Sequence, residues 1–189
     1  DYWTSVCYRS PYIINGLILV NVMLPLIAGN WKMHGTLQEG LTRAEAVATF
    51  ATGKGGVEVL LCPPATLLHP LHDAVKGSTV KLGGQDCHTA EAGAHTGDIS
   101  AAMLKDAGCS YVLAGHSERR ADHAESSALV QQKAITALKA GITPIICVGE
   151  TLEQREQGQA EAVIASQLAE SLPPDCGDQV VIAYEPVWA

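Results

Sequence analysis

Four polar residues stand where apolar runs end, and together they could move protons. Asn30 and Lys32 come just after Leu24–Ala28, His116 just after Ser110–Ala114, and Glu185 directly after Val180–Tyr184. A carboxylate can take a proton from carbon, and an imidazole can exchange one with oxygen. An ammonium and an amide can hold the negative oxygen that forms between these steps. A single histidine or glutamate at the end of a strand is more often structural. Four such groups on one edge, of complementary types, point to an active site. Pro186 follows Glu185 at once, biases it toward extended backbone and fixes the next bend.

Other stretches of the chain look chemical but fail on spacing. Gly53-Lys54-Gly55-Gly56 lacks the order of a phosphate-binding loop and follows a helical pattern instead of a strand. Gly115-His116-Ser117-Glu118-Arg119 resembles a nucleophile elbow, but Arg119 stands where that turn needs a second glycine. His69-Pro70-Leu71-His72 has metal-like spacing with only Asp73 beside it, so it reads as a surface helix. The six cysteines include no C-x-x-C pair and read as thiols in a reducing cytoplasm. No metal and no cofactor is expected. With 12 basic against 20 acidic residues, net charge −8, the chain presents no general surface for nucleic acid or anionic membrane. A small anionic substrate stays compatible, because a few local cations suffice for it.

The elements that must carry these residues follow from the apolar pattern. Hydrophobic residues make up 47% of the chain and aromatics only 5%, so the core is built of Ala, Val, Leu and Ile. Residues 1–22 do not read like the rest. Tyr12–Ala28 is apolar but interrupted by Asn15, Asn21 and Pro25, and no cleavage signal follows. Met23 is read as the start, with 1–22 an upstream or non-native extension and 23–189 the folded unit. From there strands are expected at Leu24–Ala28, Val57–Leu61, Val80–Gly84, Ser110–Ala114, Ile142–Val148 and Val180–Tyr184. Helices alternate with them at Leu37–Thr52, Ala65–Lys76, up to Ala107, Glu125–Ala140 and Thr151–Leu172, most closed by glycine. Continuous apolar runs joined by helices indicate a parallel α/β sheet. An open doubly wound sheet and a closed barrel both fit, and in either the loops after the strands share one edge.

Three stretches carry a family resemblance: Ala28-Gly29-Asn30-Trp31-Lys32-Met33, Ala114-Gly115-His116-Ser117-Glu118-Arg119-Arg120 and Ala183-Tyr184-Glu185-Pro186-Val187-Trp188-Ala189. With Gly93–Ser100 and Cys147-Val148-Gly149-Glu150, they resemble the triosephosphate isomerases from about Leu24 onward. The resemblance implies a TIM (β/α)8 barrel, incomplete here because about six βα units are present. It implies interconversion of dihydroxyacetone phosphate and glyceraldehyde 3-phosphate through an enediolate, a step of glycolysis and gluconeogenesis, without cofactor. Glu185 is then the base, His116 polarises the carbonyl, and Lys32 with Asn30 stabilises the enediolate. Ser117, Glu118 and Cys147 support them. Ser117–Arg120 reads as a short helix whose dipole disfavours an imidazolium at His116.

The same resemblance makes Pro186, Val187 and Trp188 the first hinge of a lid. It implies a cytoplasmic homodimer in which the long connection Gln85–Ser100 reaches the partner through Thr96 and Gln85. Asp86 stands where the family mostly has Asn, and His95 where an aromatic is common. The phosphate grip would belong to strands seven and eight, so the 189-residue chain by itself is expected to have little activity. Two other readings fit the strand-end residues: a different barrel enzyme acting on a phosphorylated sugar, and a non-catalytic barrel fragment.

Overall fold

The computed structural model describes residues 25–188 with their side chains and, by backbone alone, three short strands ahead of them. In chain order the elements are β1 Trp3–Cys7, β2 Ile13–Ile14, β3 Leu17–Ile18, β4 Leu26–Asn30, α1 Leu37–Ala51, β5 Glu58–Cys62, α2 Ala65–Val75 and β6 Lys81–Gly84. They continue with α3 Ala101–Asp106, β7 Tyr111–Ala114, α4 Ser117–Asp122, α5 Ser127–Lys139, β8 Thr143–Val148, α6 Leu152–Glu156, α7 Ala160–Ser171 and β9 Val181–Tyr184. Strands β4 to β9 are parallel and hydrogen-bonded in sequence order, each neighbour pair joined through helix. This is the curled parallel sheet of a TIM barrel, with six of its strands. β1 adds to the free edge of β4 in the antiparallel sense, with Trp3 opposite Asn30 and Cys7 opposite Leu26. β2 and β3 pair as a small hairpin, and the rest of the proposed extension lies outside the described residues.

Both faces of the sheet are buried, which is why the strands read as unbroken apolar runs. Alternate residues of the strands (Leu26 and Ala28, Leu60 and Cys62, Tyr111 and Leu113, Ile145 and Cys147, Val181 and Ala183) pack together on the concave face. The intervening residues, among them Leu61, Leu82 and Val112, face the helices and join Leu67, Leu71, Leu104 and Ala137. Helix α1 approaches closely through a stripe of small residues, Gly40, Ala44, Ala48 and Ala51. The Glu39 carboxylate accepts the Thr36 N–H at 2.9 Å and starts that helix.

Three expectations shift. The first strand runs to Asn30, so Asn30 is its last residue and not part of the following loop. The helix expected over 151–172 is two helices, because Gly158 takes φ +71° and Gln159 begins a second turn of chain. Helix α5 begins after Ser126, whose hydroxyl accepts the Leu129 N–H, leaving Glu125 free to turn inward.

Candidate active site

At the carboxyl edge of the sheet the first four candidates meet. His116 leaves β7 through Gly115, whose φ is +72°. A β-carbon there would lie 2.5 Å from Val130, so the turn needs glycine on two counts. His116 then caps α4, and its Nδ1 accepts the Glu118 N–H at 3.3 Å. In the neutral ring the proton therefore sits on Nε2. That atom is 3.2 Å from Glu185 Oε2, and both side chains are more than nine-tenths buried. Neither atom is aligned for a hydrogen bond with any described group. Two buried, polar, unsatisfied atoms facing each other are costly unless a third molecule uses them.

Lys32 reaches the same edge in a left-handed backbone conformation, φ +49°. Its N–H donates to Asn30 Oδ1 at 3.0 Å, and Gln85 Nε2 donates to its carbonyl at 2.8 Å and to that of Cys62 at 2.9 Å. Its ammonium pairs with Glu118 Oε1 at 2.8 Å. Burial pushes the Glu118 carboxyl up, but the bond from Lys32 and the proximity of His116 outweigh it and leave the carboxyl below its usual range. Lys32, Ser117, Glu118, Glu185, Pro186 and Val187 line one cavity of about 230 Å³. Cys147 lies beneath, in β8, its sulfur buried and its carbonyl accepting from Arg120.

Ser117, Glu118 and Cys147 are therefore beside the centre, and within the chain Gln85 reaches it as well. Its amide ties down the Lys32 loop within the chain. Thr96 is exposed at the far end of the 85–100 connection and does not join the cluster.

Glu150 is a site residue that reading the sequence did not single out. Its Oε1 accepts from Tyr184 Oη at 3.1 Å, Arg155 Nη1 at 3.1 Å and Trp188 Nε1 at 3.2 Å. Its carbonyl accepts the Val187 N–H. Burial pushes this carboxyl up, yet its own backbone N–H, together with Trp188, Arg155 and Tyr184, holds it below the ordinary range. Glu150 thus anchors both sides of Glu185 and the segment named as a hinge. The only sequence signal was its place after Cys147-Val148-Gly149.

Gly149 sets the position of Glu185 more directly. A β-carbon on it would fall 1.9 Å from the Glu185 carbonyl oxygen. Gln167 grips its N–H at 2.9 Å and its carbonyl at 3.0 Å, so Gly149 cannot yield. Gly149→Ala is expected to push Glu185 out of place and, in the full-length protein, to lower kcat by about 100-fold if Glu185 acts as the base proposed below, the scale of a 1 Å misplacement. Steady-state kinetics beside urea unfolding checks this: an unchanged kcat in a folded variant contradicts it.

Behind α4 lies a ring of four charges. Lys133 Nζ is 2.6 Å from Asp86 Oδ1 and 2.6 Å from Glu125 Oε1, while Arg119 meets Glu125 at 2.6 Å and Asp86 at 2.9 Å. The ring ties the start of the 85–100 connection to the helix that follows His116. Burial pushes the Glu125 carboxyl up, but Lys133 and Arg119 bring it below its usual range. Burial wins at Asp86 and leaves its carboxyl raised. A raised acid favours folding at low pH and loses that contribution as pH climbs through its folded value. Asp86→Asn is therefore expected to keep or raise stability at neutral pH. Lys133→Met removes a buried cation from the buried Glu125 and the half-buried Asp86 but leaves both paired with Arg119, and should cost about 1.5–3 kcal/mol. Urea unfolding of both variants at neutral pH separates these outcomes, and a large loss in Asp86→Asn would count against the assignment.

Fold and site together define a parallel α/β barrel sheet with an acid–base centre at the carboxyl ends of its strands. Comparison with known proteins agrees. The family profile described as triosephosphate isomerase matches residues 25–189. A triosephosphate isomerase of Hyphomonas neptunium is 57% identical over 166 residues, covering 87% of this chain and 66% of that protein. One from Ruegeria pomeroyi is 58% identical over 165 residues, with 87% and 65% covered. The crystal structure of triosephosphate isomerase from Bartonella henselae superposes with a TM-score of 0.80 at 48% identity, covering 88% of this chain and 69% of that one. The chain belongs to the triosephosphate isomerase family. It spans slightly less than two thirds of the length of the first two relatives.

Proposed function

We propose that this chain carries the acid–base centre of a triosephosphate isomerase, interconverting dihydroxyacetone phosphate and glyceraldehyde 3-phosphate. The observation that supports it most is the buried pair His116 Nε2 and Glu185 Oε2, 3.2 Å apart yet not hydrogen-bonded. A carbonyl placed with its oxygen toward His116 brings the adjacent carbon toward Glu185. The Glu185 carboxylate takes the proton from that carbon as the carbonyl oxygen gains negative charge. His116 stabilises that oxygen through its Nε2–H, and the Lys32 ammonium adds a fixed positive charge in a site of low water content. Returning the proton from Glu185 to the neighbouring carbon, with the hydroxyl protons exchanged through His116, completes the isomerisation. Asn30 holds the Lys32 loop and offers an amide to the substrate oxygens. No step needs a redox group.

Pro186, Val187 and Trp188 serve as the hinge of a segment that excludes water over this centre. In TIM barrels the loops after the seventh and eighth strands bind phosphate, so the grip on the substrate's phosphate is assigned to those elements of the fold. The protein is further read as a cytoplasmic homodimer whose 85–100 connection meets a second copy through Thr96. No helix among the described residues is long and apolar enough to cross a membrane. The test is the interconversion itself, in the protein that contains this chain at the family's full length. Turnover of triose phosphates, with no comparable turnover of larger phosphorylated sugars, is expected. Preference for a larger sugar phosphate would favour another barrel enzyme, and absence of turnover a non-catalytic role.

A further inference from the structure

We propose, on the proton-transfer reading above, that Arg120 is a positioning residue for the acid–base centre. Its guanidinium ties the turn that carries His116 to the strand end that carries Glu185. Arg120 Nε donates to the Gly115 carbonyl at 2.8 Å, and Nη2 donates to the Cys147 carbonyl at 3.2 Å. Gly115 directly precedes His116. Cys147 and Val148 pair with Ala183 and Tyr184 of β9, and the Val148 carbonyl accepts the Glu185 N–H at 2.8 Å. One planar group therefore spans the two main-chain anchors on which the 3.2 Å approach of His116 to Glu185 depends.

The strands do not make this link themselves. β7 and β8 are in register from Tyr111 opposite Thr143 to Ala114 opposite Ile146, and their pairing stops there. Gly115 and Cys147 are the next residues on each strand. Both carbonyls are acceptors, so an added donor has to join them. Arg120 supplies it from α4, where its own N–H donates to the His116 carbonyl at 3.0 Å. A β-carbon on Gly115 would lie 2.9 Å from Nη2, so the glycine also lets the fork approach. The fork is seated from behind as well. Nη1 donates to Ser127 Oγ at 3.1 Å, at the start of α5, and Nη2 to Ser171 Oγ at 3.2 Å, at the end of α7.

The bonding partners separate this arginine from its neighbour. Arg119 pairs with two carboxylates, Asp86 and Glu125. Arg120 has no carboxylate within ion-pair distance among the described residues and bonds to carbonyl and hydroxyl oxygens instead. Burial pushes its pKa down, with no carboxylate in contact to offset the cost. What recommends arginine here is a rigid planar array of donors, which the single ammonium of lysine does not offer. Arg120, Cys147 and Glu185 line one cavity of about 270 Å³ beside the centre. Packing thus leaves open the space across which the guanidinium holds the two anchors.

The test uses the protein that contains this chain at the family's full length. Arg120→Lys keeps the charge but cannot span both carbonyls. It is expected to lower kcat for triose phosphate isomerisation by about 10–100-fold with little change in KM. Hydrogen exchange should accelerate in the same variant at the Glu118 and Glu185 amides, which are bonded to His116 Nδ1 and the Val148 carbonyl. Gln131→Ala is the control. It removes a 2.7 Å bond from Gln131 Nε2 to the Leu172 carbonyl, another tie between α5 and the end of α7 that touches neither anchor. This variant should lose stability in urea yet keep the parent's kcat and the protection of both amides. If Arg120→Lys does not fold, Ser127→Ala combined with Ser171→Ala loosens the fork and should lower kcat by roughly 3–10-fold. Unchanged kcat in a folded variant of either kind overturns the inference, as does an equal loss in Gln131→Ala or a fall in kcat without faster exchange. A parent without triose phosphate turnover overturns the isomerase reading, and this inference falls with it.

Discussion

In the protein that contains this chain at the family's full length, Glu185→Gln is expected to lower kcat for the proposed triose phosphate isomerisation by about 1,000-fold or more, within the range typical of losing a general base. Glutamine keeps the shape and the polar contacts but cannot accept a proton from carbon. KM should change little, because the carboxylate's task arises as the carbon–hydrogen bond breaks. Stability should move the other way. Glu185 is 7% exposed, and its Oε2 has no aligned donor among the described residues. An uncharged amide removes the cost of a buried carboxylate, so urea unfolding should show a variant as stable as the parent or more so. A folded variant that retains the parent's kcat would remove Glu185 from the mechanism.

Lys32→Met should lower kcat/KM by roughly 100–1,000-fold, the scale of removing one fixed stabiliser of a developing oxyanion. The loss should appear in kcat as well as KM, since the ammonium interacts most strongly when the oxygen is negative. Methionine retains the length of the side chain, and the left-handed backbone at position 32 is held by Asn30 and Gln85 without the ammonium. Binding and rate can thus be separated from folding. Lys32→Arg is a poor rescue: a planar guanidinium would have to re-form the 2.8 Å contact with Glu118 in a different geometry. Kinetics of the methionine variant beside its circular dichroism decides the matter; a kcat near the parent's, with KM alone raised, would reduce Lys32 to a binding residue.

Much of this was legible in the residues because burial on both faces of a parallel sheet leaves an unmistakable record. Val181–Tyr184 and Tyr111–Ala114 are apolar without alternation, and the helices before them stop at clear signals, Pro173-Pro174 in the first case and Gly108 in the second. The polar residue that breaks each run has to lie at the carboxyl edge, so Glu185 and His116 declared themselves by position. What stayed hidden depends on long-range side-chain geometry. Gln85 reaches back 53 positions to Lys32, and nothing in a local pattern signals such a bond. Glu150 stood in the sequence only as the end of a matching stretch, with no sign that three donors from separate elements converge on it. Asp86 was visible as a departure from the family's usual Asn, but its place beside Lys133 and Arg119 was not. The break at Gly158 was missed because residues 153–159 hold no apolar residue, so no periodicity was there to be seen ending. Only the glycine, free to take positive φ, carried the signal.

In the proposed reaction a proton passes through Glu185 on its way between two carbons. Turnover of dihydroxyacetone phosphate in deuterium oxide tests it most directly. A proton held on a carboxyl group exchanges with solvent, so the glyceraldehyde 3-phosphate formed should carry deuterium on the carbon beside the carbonyl. Glu185→Gln should lose that incorporation together with turnover. Product that retains all of its original hydrogen, or deuterium uptake that continues undiminished in Glu185→Gln, would contradict the account.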